Sequence, residues 1–202
     1  RGCTAAGRNR VVRLYLCDSR AAPPGAVGNI AYPGIWRAID LGKFNAEQAA
    51  LYQLVLDAQY AAIEATQPGN HWNQPHDATV QVITAGLVKL GLLAGDVNKL
   101  IEEEAYKPFY MHRAGHWLGM DVHDVGDYKV NNEWRVLESG MVLTVEPGIY
   151  VAVDNMDVDE KWRGIGIRIE DDVLVTKTGN EVLTEGVVKE IADIEALMAQ
   201  SN

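Results

Sequence analysis

Three of the five histidines of this 202-residue chain lie in one segment, HRAGHWLGMDVHDVGDY, residues 112–128. His112, His116 and His123 follow one another at spacings of four and seven, with three aspartates among them. Imidazole nitrogen and carboxylate oxygen are ligands that divalent metal ions accept. The segment therefore raises the question of a metal site.

The backbone of this segment decides which histidines can act together. Two histidines four residues apart on a helix share one face and can bind one metal ion. Gly115 and Gly119 weaken a helix, however, and LGMDVHDV alternates between apolar and polar residues as a strand does. The pattern favours a strand over a helical metal pair. Two interpretations remain open, a metal site and a set of polar residues in a glycine-rich loop.

Two glutamates lie in otherwise apolar text that predicts strands. Glu146 occurs in VLTVEPGIY and Glu170 in GIGIRIEDDV. A buried carboxylate is costly unless it is paired or bound to a cation. Arg168 precedes Glu170 by two residues and would face the same side of a strand, so an ordinary ion pair is one explanation. Two such glutamates together with a histidine-rich segment favour a metal site.

The chemistry of such a site would be that of hard divalent ions. Ions such as Mn²⁺ take carboxylate oxygen and imidazole nitrogen. Two ions about 3.5–4 Å apart can share a hydroxide that is nucleophilic at neutral pH. His116, Glu146 and Glu170 alone are too few to hold two ions.

The elements that must position these residues are helices followed by strands. Asn45 and Gln48 resemble a capping box that begins a helix, which ends before Pro68. A second helix is predicted from about Asp77 to Leu90, and Asp96 caps a third. Beyond Pro108 the pattern predicts strands in MVLTVEPGIYVAV and GIGIRIEDDVLVT, and KEIADIEALMAQ returns to helix. This order predicts an α+β domain.

Composition limits the partners. Apolar residues make up 48% of the chain and the formal net charge is −10. An acidic chain without a long apolar run predicts neither a nucleic-acid partner nor a membrane span. Two cysteines, Cys3 and Cys17, are too few for a disulfide framework, so we expect a cytoplasmic protein.

Three motifs in order resemble one family. The segments HWLGMDVHDVG, LESGMVLTVEPGIYV and RGIGIRIEDDVLVTKTGNEVLT resemble the carboxyl-terminal half of aminopeptidase P, the Xaa-Pro aminopeptidase of the pita-bread metallopeptidases. The resemblance runs from about Gly42 to Met198. It implies a pita-bread (creatinase/aminopeptidase-like) fold, incomplete at its amino-terminal side. It also implies an enzyme that uses two Mn²⁺ ions to release the first residue of peptides with proline in the second position.

The resemblance implies a role for each matching residue. His116 and Glu146 correspond to metal ligands, and Glu170 corresponds to the carboxylate that bridges both ions. His123 corresponds to the histidine that contacts the substrate and stabilises the tetrahedral intermediate, and His112 to a further active-site histidine. An arginine supporting the site corresponds to Arg168, and a tyrosine near the metals corresponds to Tyr150. His71 and His76 match nothing in the family, and we expect them in surface loops.

Residues 1–41 depart from the family pattern. Two further metal-ligand aspartates of the family are expected at about Ala22 and Pro33, where no ligand is present. Asp18 and Asp40 lie nearby, but not in matching contexts. The first forty residues hold six arginines and neither Lys nor Glu. We expect residues 1–41 to be an atypical segment, produced by a frame shift, divergence or truncation, in place of the first catalytic strands. Residues 42–202 would be the carboxyl-terminal part of the catalytic domain.

The expected function is therefore that of a metallo-aminopeptidase acting on peptides with proline in the second position. Because two ligand aspartates are missing, we expect little Mn²⁺-dependent turnover from this chain. The alternatives are a metal-free pita-bread scaffold or pseudoenzyme, and a non-functional fragment. Assembly into a homo-oligomer stays open.

Overall fold

The computed structural model describes residues 43–199 together with the backbone of residues 15–18. Its helices are α1 (Ala46–Ala65), α2 (Gln74–Lys89), α3 (Val97–Glu102) and α4 (Ile191–Ala199). The strands are β1 (Tyr15–Asp18), β2 (Lys129–Val130), β3 (Glu133–Trp134), β4 (Val142–Val145), β5 (Gly148–Tyr150), β6 (Ile165–Arg168), β7 (Asp171–Val175) and β8 (Asn180–Val182). Apart from the backbone of β1, the predicted segment 1–41 lies outside the described residues. Its boundary with the catalytic part stays a prediction.

The helices begin largely as predicted. Asn45 and Gln48 form the capping box of α1, each side chain accepting a hydrogen bond from the backbone of the other, and the Asp96 side chain caps α3. Helix α2 begins at Gln74, three residues before the predicted start. Pro75 explains the difference, because proline in the first turn has no backbone N–H to leave unpaired.

The sheets are antiparallel at every described pairing. β1, β6 and β5 form one sheet in that order, β4, β7 and β8 form a second, and β2 and β3 form a two-stranded ribbon. The β1–β6 pairing places the backbone of Asp18 opposite Ile165. Within the described residues no helix is long and apolar enough to span a membrane.

One continuous register links the two larger sheets. Val145 faces Asp171 where β4 pairs with β7, and Gly148 faces Arg168 where β5 pairs with β6. The same register across the junction places Glu146 opposite Glu170. Both glutamates were predicted inside strands, and this was wrong, because each lies between two strands where the chain passes from one sheet to the other.

The main core lies between the helices and β5–β6. Leu51, Val55 and Ala58 on one side of α1 are fully buried, and so is Ile167 of β6. Burial of this order stabilises a fold by about 25 cal/mol for each Å² of apolar surface removed from water. The core thus fixes β5 and β6, the strands that carry Tyr150 and Arg168.

The prediction of a strand at LGMDVHDV is wrong. Residues 118–125 form an irregular loop that the Asp124 side chain closes by accepting hydrogen bonds from the backbone of Met120 and Val125. The backbone N–H of Asp124 also donates to the carbonyl of Trp117. Local side-chain to backbone bonds of this kind compete with a strand ladder, and here the aspartate prevails.

Candidate active site

The loop before His116 is held against β4 like an irregular strand. The backbone N–H of Thr144 donates to the carbonyl of His116 at 2.9 Å, and that of Glu146 donates to the carbonyl of Ala114 at 2.6 Å. The backbone N–H of His116 donates to the Thr144 hydroxyl at 3.0 Å. Because Thr144 and Glu146 are two residues apart, they face the same side. His116 is therefore set beside the Glu146 carboxylate.

His116 and Glu146 form a donor pair suited to a cation. His116 Nε2 lies 3.4 Å from Glu146 Oε1. His116 Nδ1 lies 2.9 Å from the carbonyl of Trp117. A carbonyl only accepts, so Nδ1 carries a proton, and the tautomer with this single proton has its lone pair at Nε2. Two ligands each about 2.1 Å from one tetrahedral ion would be separated by about this distance.

The other partners of Glu146 are already in place. Its Oε2 lies 3.3 Å from the Arg168 guanidinium, and Oε1 accepts from the Thr144 hydroxyl at 3.4 Å. Glu170, opposite in the strand register, is buried. Among the described residues, no group of three or more His, Cys, Asp and Glu side chains could hold a metal ion. The donor pair fits part of a metal site but not a complete one.

Arg168, Tyr150 and His112 form a closed triangle beside this pair. Arg168 Nε donates to the Tyr150 hydroxyl at 2.8 Å, and Arg168 Nη2 lies 3.2 Å from His112 Nε2. The Tyr150 hydroxyl lies 3.0 Å from the same His112 nitrogen. His112 Nδ1 donates to the carbonyl of Arg113 at 2.8 Å, so Nε2 is the acceptor for both neighbours. His112 is thereby fixed in one tautomer.

The environment keeps His112 neutral. Burial, and then the positive charge of Arg168, lower the pKa of His112 from 6.5 to about 4. Burial also raises the pKa of the Tyr150 hydroxyl, against the opposing effect of Arg168. At neutral pH the triangle consists of one guanidinium cation with a neutral phenol and a neutral imidazole.

Two residues that support His112 were not predicted. The Tyr110 ring packs edge-on against the His112 ring at 4.9 Å between centroids, and the Tyr110 hydroxyl lies 3.4 Å from His76 Nδ1. The expectation that His76 lies in a surface loop is wrong, because it lies in the first turn of α2 and is partly buried. The sequence signal for Tyr110 was its position two residues before His112, on the same side of an extended chain.

His123 completes the set of predicted residues. Its ring lies 4.2 Å from the His116 ring, nearly perpendicular to it, and the residue is exposed on the loop that Asp124 closes. The structure thus joins His123, His116, Glu146, Arg168, Tyr150 and His112 in one unbroken series of contacts.

The sequence matches one family along most of its length. Metallopeptidase family M24 matches residues 25–177. This match begins at residue 25, whereas the resemblance was predicted to begin at about residue 42.

Curated relatives and solved structures with similar sequences are aminopeptidases. The Xaa-Pro aminopeptidase of Haemophilus influenzae is 57% identical over 157 residues, which is 78% of this chain and 36% of that protein. Aminopeptidase PepP of Pseudomonas aeruginosa has 68% identity and a TM-score of 0.78 over 79% of this chain and 36% of that one. Zn-substituted Escherichia coli aminopeptidase P in complex with product has 50% identity and a TM-score of 0.76 over 80% and 36%. The chain therefore spans about a third of the length of these relatives.

The first prediction concerns the fit of the loop on β4. A Cβ added to Gly115 would lie 1.8 Å from the carbonyl oxygen of Thr144, a contact that backbone atoms cannot accept. We expect Gly115→Ala to push the loop away and to lower Tm by roughly 5 °C, as overpacking of about 1–3 kcal/mol does in a domain of this size. Thermal unfolding measures the change. Gly179→Ala, whose Cβ meets only a side-chain atom at 3.4 Å, is the matched control; equal effects of the two substitutions would contradict the geometry.

The stability of the folded chain should depend on pH through His76. Burial, and then Arg113 and His112, lower the pKa of His76 from 6.5 to about 4. Between these values the unfolded chain binds the proton and the folded chain does not. The contribution of His76 is therefore complete above about pH 6.5 and is lost as the pH falls to about 4. Urea unfolding at pH 7 and pH 5 should show a smaller loss of stability for His76→Gln than for the unsubstituted chain. Parallel losses in both proteins would show that His76 does not titrate in this way.

Proposed function

The chain belongs to metallopeptidase family M24, and on this basis we propose that its site is that of a metallo-aminopeptidase. The proposed reaction is release of the amino-terminal residue from peptides with proline in the second position. Support comes from relatives named Xaa-Pro aminopeptidase and from their α+β pita-bread fold, which this chain shares. We keep a cytoplasmic location and assembly into a homo-oligomer as predictions.

One observation carries this proposal. Glu146 and Glu170, one half-buried and one buried, lie at opposite positions of the register that joins the two sheets, and His116 Nε2 lies 3.4 Å from the Glu146 carboxylate. Two carboxylates at neighbouring positions repel each other in a low-dielectric site, which favours positive charge beside them. A divalent cation would neutralise them. Membership of a metallopeptidase family implies such a cation.

We assign the metal side of the site to His116, Glu146 and Glu170. A divalent ion held by these residues, proposed to be Mn²⁺, would act as a Lewis acid toward water and the peptide carbonyl. The chain's own contribution is to orient its ligands. The Trp117 carbonyl holds His116 in the ligand tautomer, and Arg168 holds the Glu146 carboxylate from its far side.

The substrate side is assigned to His123, His112, Arg168 and Tyr150. The neutral His112 ring accepts hydrogen bonds from Arg168 and Tyr150 at its Nε2. Its role at neutral pH is therefore to hold its position beside the substrate and not to accept a proton. His123 is exposed beside His116 and has no described hydrogen-bond partner among the residues 43–199. It is free to donate to the carbonyl oxygen that gains charge during hydrolysis.

A metal-free scaffold is the second candidate, and one observation favours it. Arg168 already pairs with Glu146, so its charge is matched without a metal ion. The described residues also lack a complete group of ligands. Such a protein would bind peptides without hydrolysing them.

Calorimetric titration with Mn²⁺ distinguishes the two candidates. The expected aspartate positions hold Ala22 and Pro33, so we expect at most one ion per chain and little release of the first residue from an Xaa-Pro peptide. His116→Ala should weaken this binding by at least about tenfold, because loss of a ligand costs no less than loss of its supporting hydrogen bond. His71→Ala is the control, a histidine outside the site.

Each outcome decides between candidates. Absence of Mn²⁺ binding would support the metal-free scaffold and refute the proposed metal site. Two ions per chain with rapid turnover would confirm the peptidase and contradict the predicted shortage of ligands. Binding that His116→Ala leaves intact would place the ion elsewhere.

A further inference from the structure

A cleft lies beside the loop that carries His112 and His116. It has a volume of about 530 Å³ and is lined by Trp72, Arg113, Gly115, Tyr128, Lys129 and Trp134. Alternate residues of an extended chain point to opposite sides. His112 and His116 contact the candidate active site, whereas Arg113 and Gly115 line the cleft.

The walls of the cleft are aromatic. Trp72 lies 4.7 Å from Tyr128 and 4.1 Å from Trp117 between ring centroids. Trp134 faces Lys129 across the β2–β3 ribbon, whose turn residues Asn131 and Asn132 both have positive φ. Two consecutive left-handed residues make a tight type I′ turn, which fixes the two facing side chains.

Two cations flank the Trp134 ring. Lys129 Nζ lies 4.2 Å and the Arg113 guanidinium 4.9 Å from the ring centroid. Arg113 also donates a hydrogen bond to the Asn73 side-chain oxygen. Neither cation forms an ion pair with a carboxylate of the residues 43–199, although the chain as a whole carries a net charge of −10. Two adjacent positive charges in an acidic protein are complementary to an anionic group.

We propose that this cleft binds the carboxyl-terminal end of a short peptide. Lys129 and Arg113 pair with its free carboxylate, and an apolar ring next to it packs against the exposed Tyr128 ring of the cleft. A polyanion such as a nucleic acid is disfavoured, because the acidic surface around two cations would repel it. Neither the metal ligands nor turnover is needed for this binding.

The test uses a peptide that cannot serve as an aminopeptidase substrate. Acetyl-Gly-Pro-Phe has no free amino terminus, and it is compared as free acid and as carboxyl-terminal amide by calorimetry on the metal-free chain. We expect the free acid to bind about tenfold more tightly, as loss of a charge-assisted hydrogen bond implies. Lys129 is exposed, so Lys129→Gln should fold normally, and it should remove most of this preference.

A matched variant separates a local from a general effect of charge. Lys161 stacks on Trp162 at 5.5 Å outside the cleft, so Lys161→Gln should retain the preference for the free acid. The proposal is overturned if acid and amide bind equally, if neither binds, or if Lys129→Gln keeps the preference. Because the probe is blocked and metal is absent, these results are independent of whether the chain hydrolyses Xaa-Pro peptides.

Discussion

Glu146 is the residue on which the rest of the site depends. Its carboxylate lies at the junction of two sheets, where a charge without partners would cost several kcal/mol. Arg168, Thr144 and His116 surround it. Arg168 then reaches from this carboxylate to Tyr150 and His112, so the charge that stabilises the junction also orients the neutral side of the site.

The loop of residues 112–117 lies between the candidate active site and the aromatic cleft. Its hydrogen bonds to β4 leave no room for a side chain at Gly115. The histidines on one side contact the metal-side and substrate-side residues, and Arg113 on the other side faces the aromatic cleft. A single strand-like segment thus positions residues of both the proposed metal site and the proposed carboxylate-binding cleft.

Much of this arrangement could be predicted from sequence because it depends on local signals. Capping residues and apolar periodicity located the helices, and the position of Glu146 and Glu170 in apolar text indicated partly buried carboxylates. What could not be predicted depends on distant contacts. Alternation alone suggested a strand at residues 118–125, whereas Asp124 folds them into a loop.

The residues that were not predicted also depend on contacts between distant parts of the sequence. His76 gained its role from Tyr110, 34 residues away, and the opposition of Glu146 and Glu170 follows from a register that only the paired strands define. The side chains of Asp18 and Asp40 lie outside the described residues.

Anomalous scattering from crystals of the chain grown with Mn²⁺ tests the central claim most directly. The donor pair predicts a manganese peak within about 2.3 Å of both His116 Nε2 and Glu146 Oε1, with Arg168 still on the far side of the carboxylate. A peak only at other residues, or none at this pair in crystals saturated with Mn²⁺, would contradict the assignment of this junction as a metal centre.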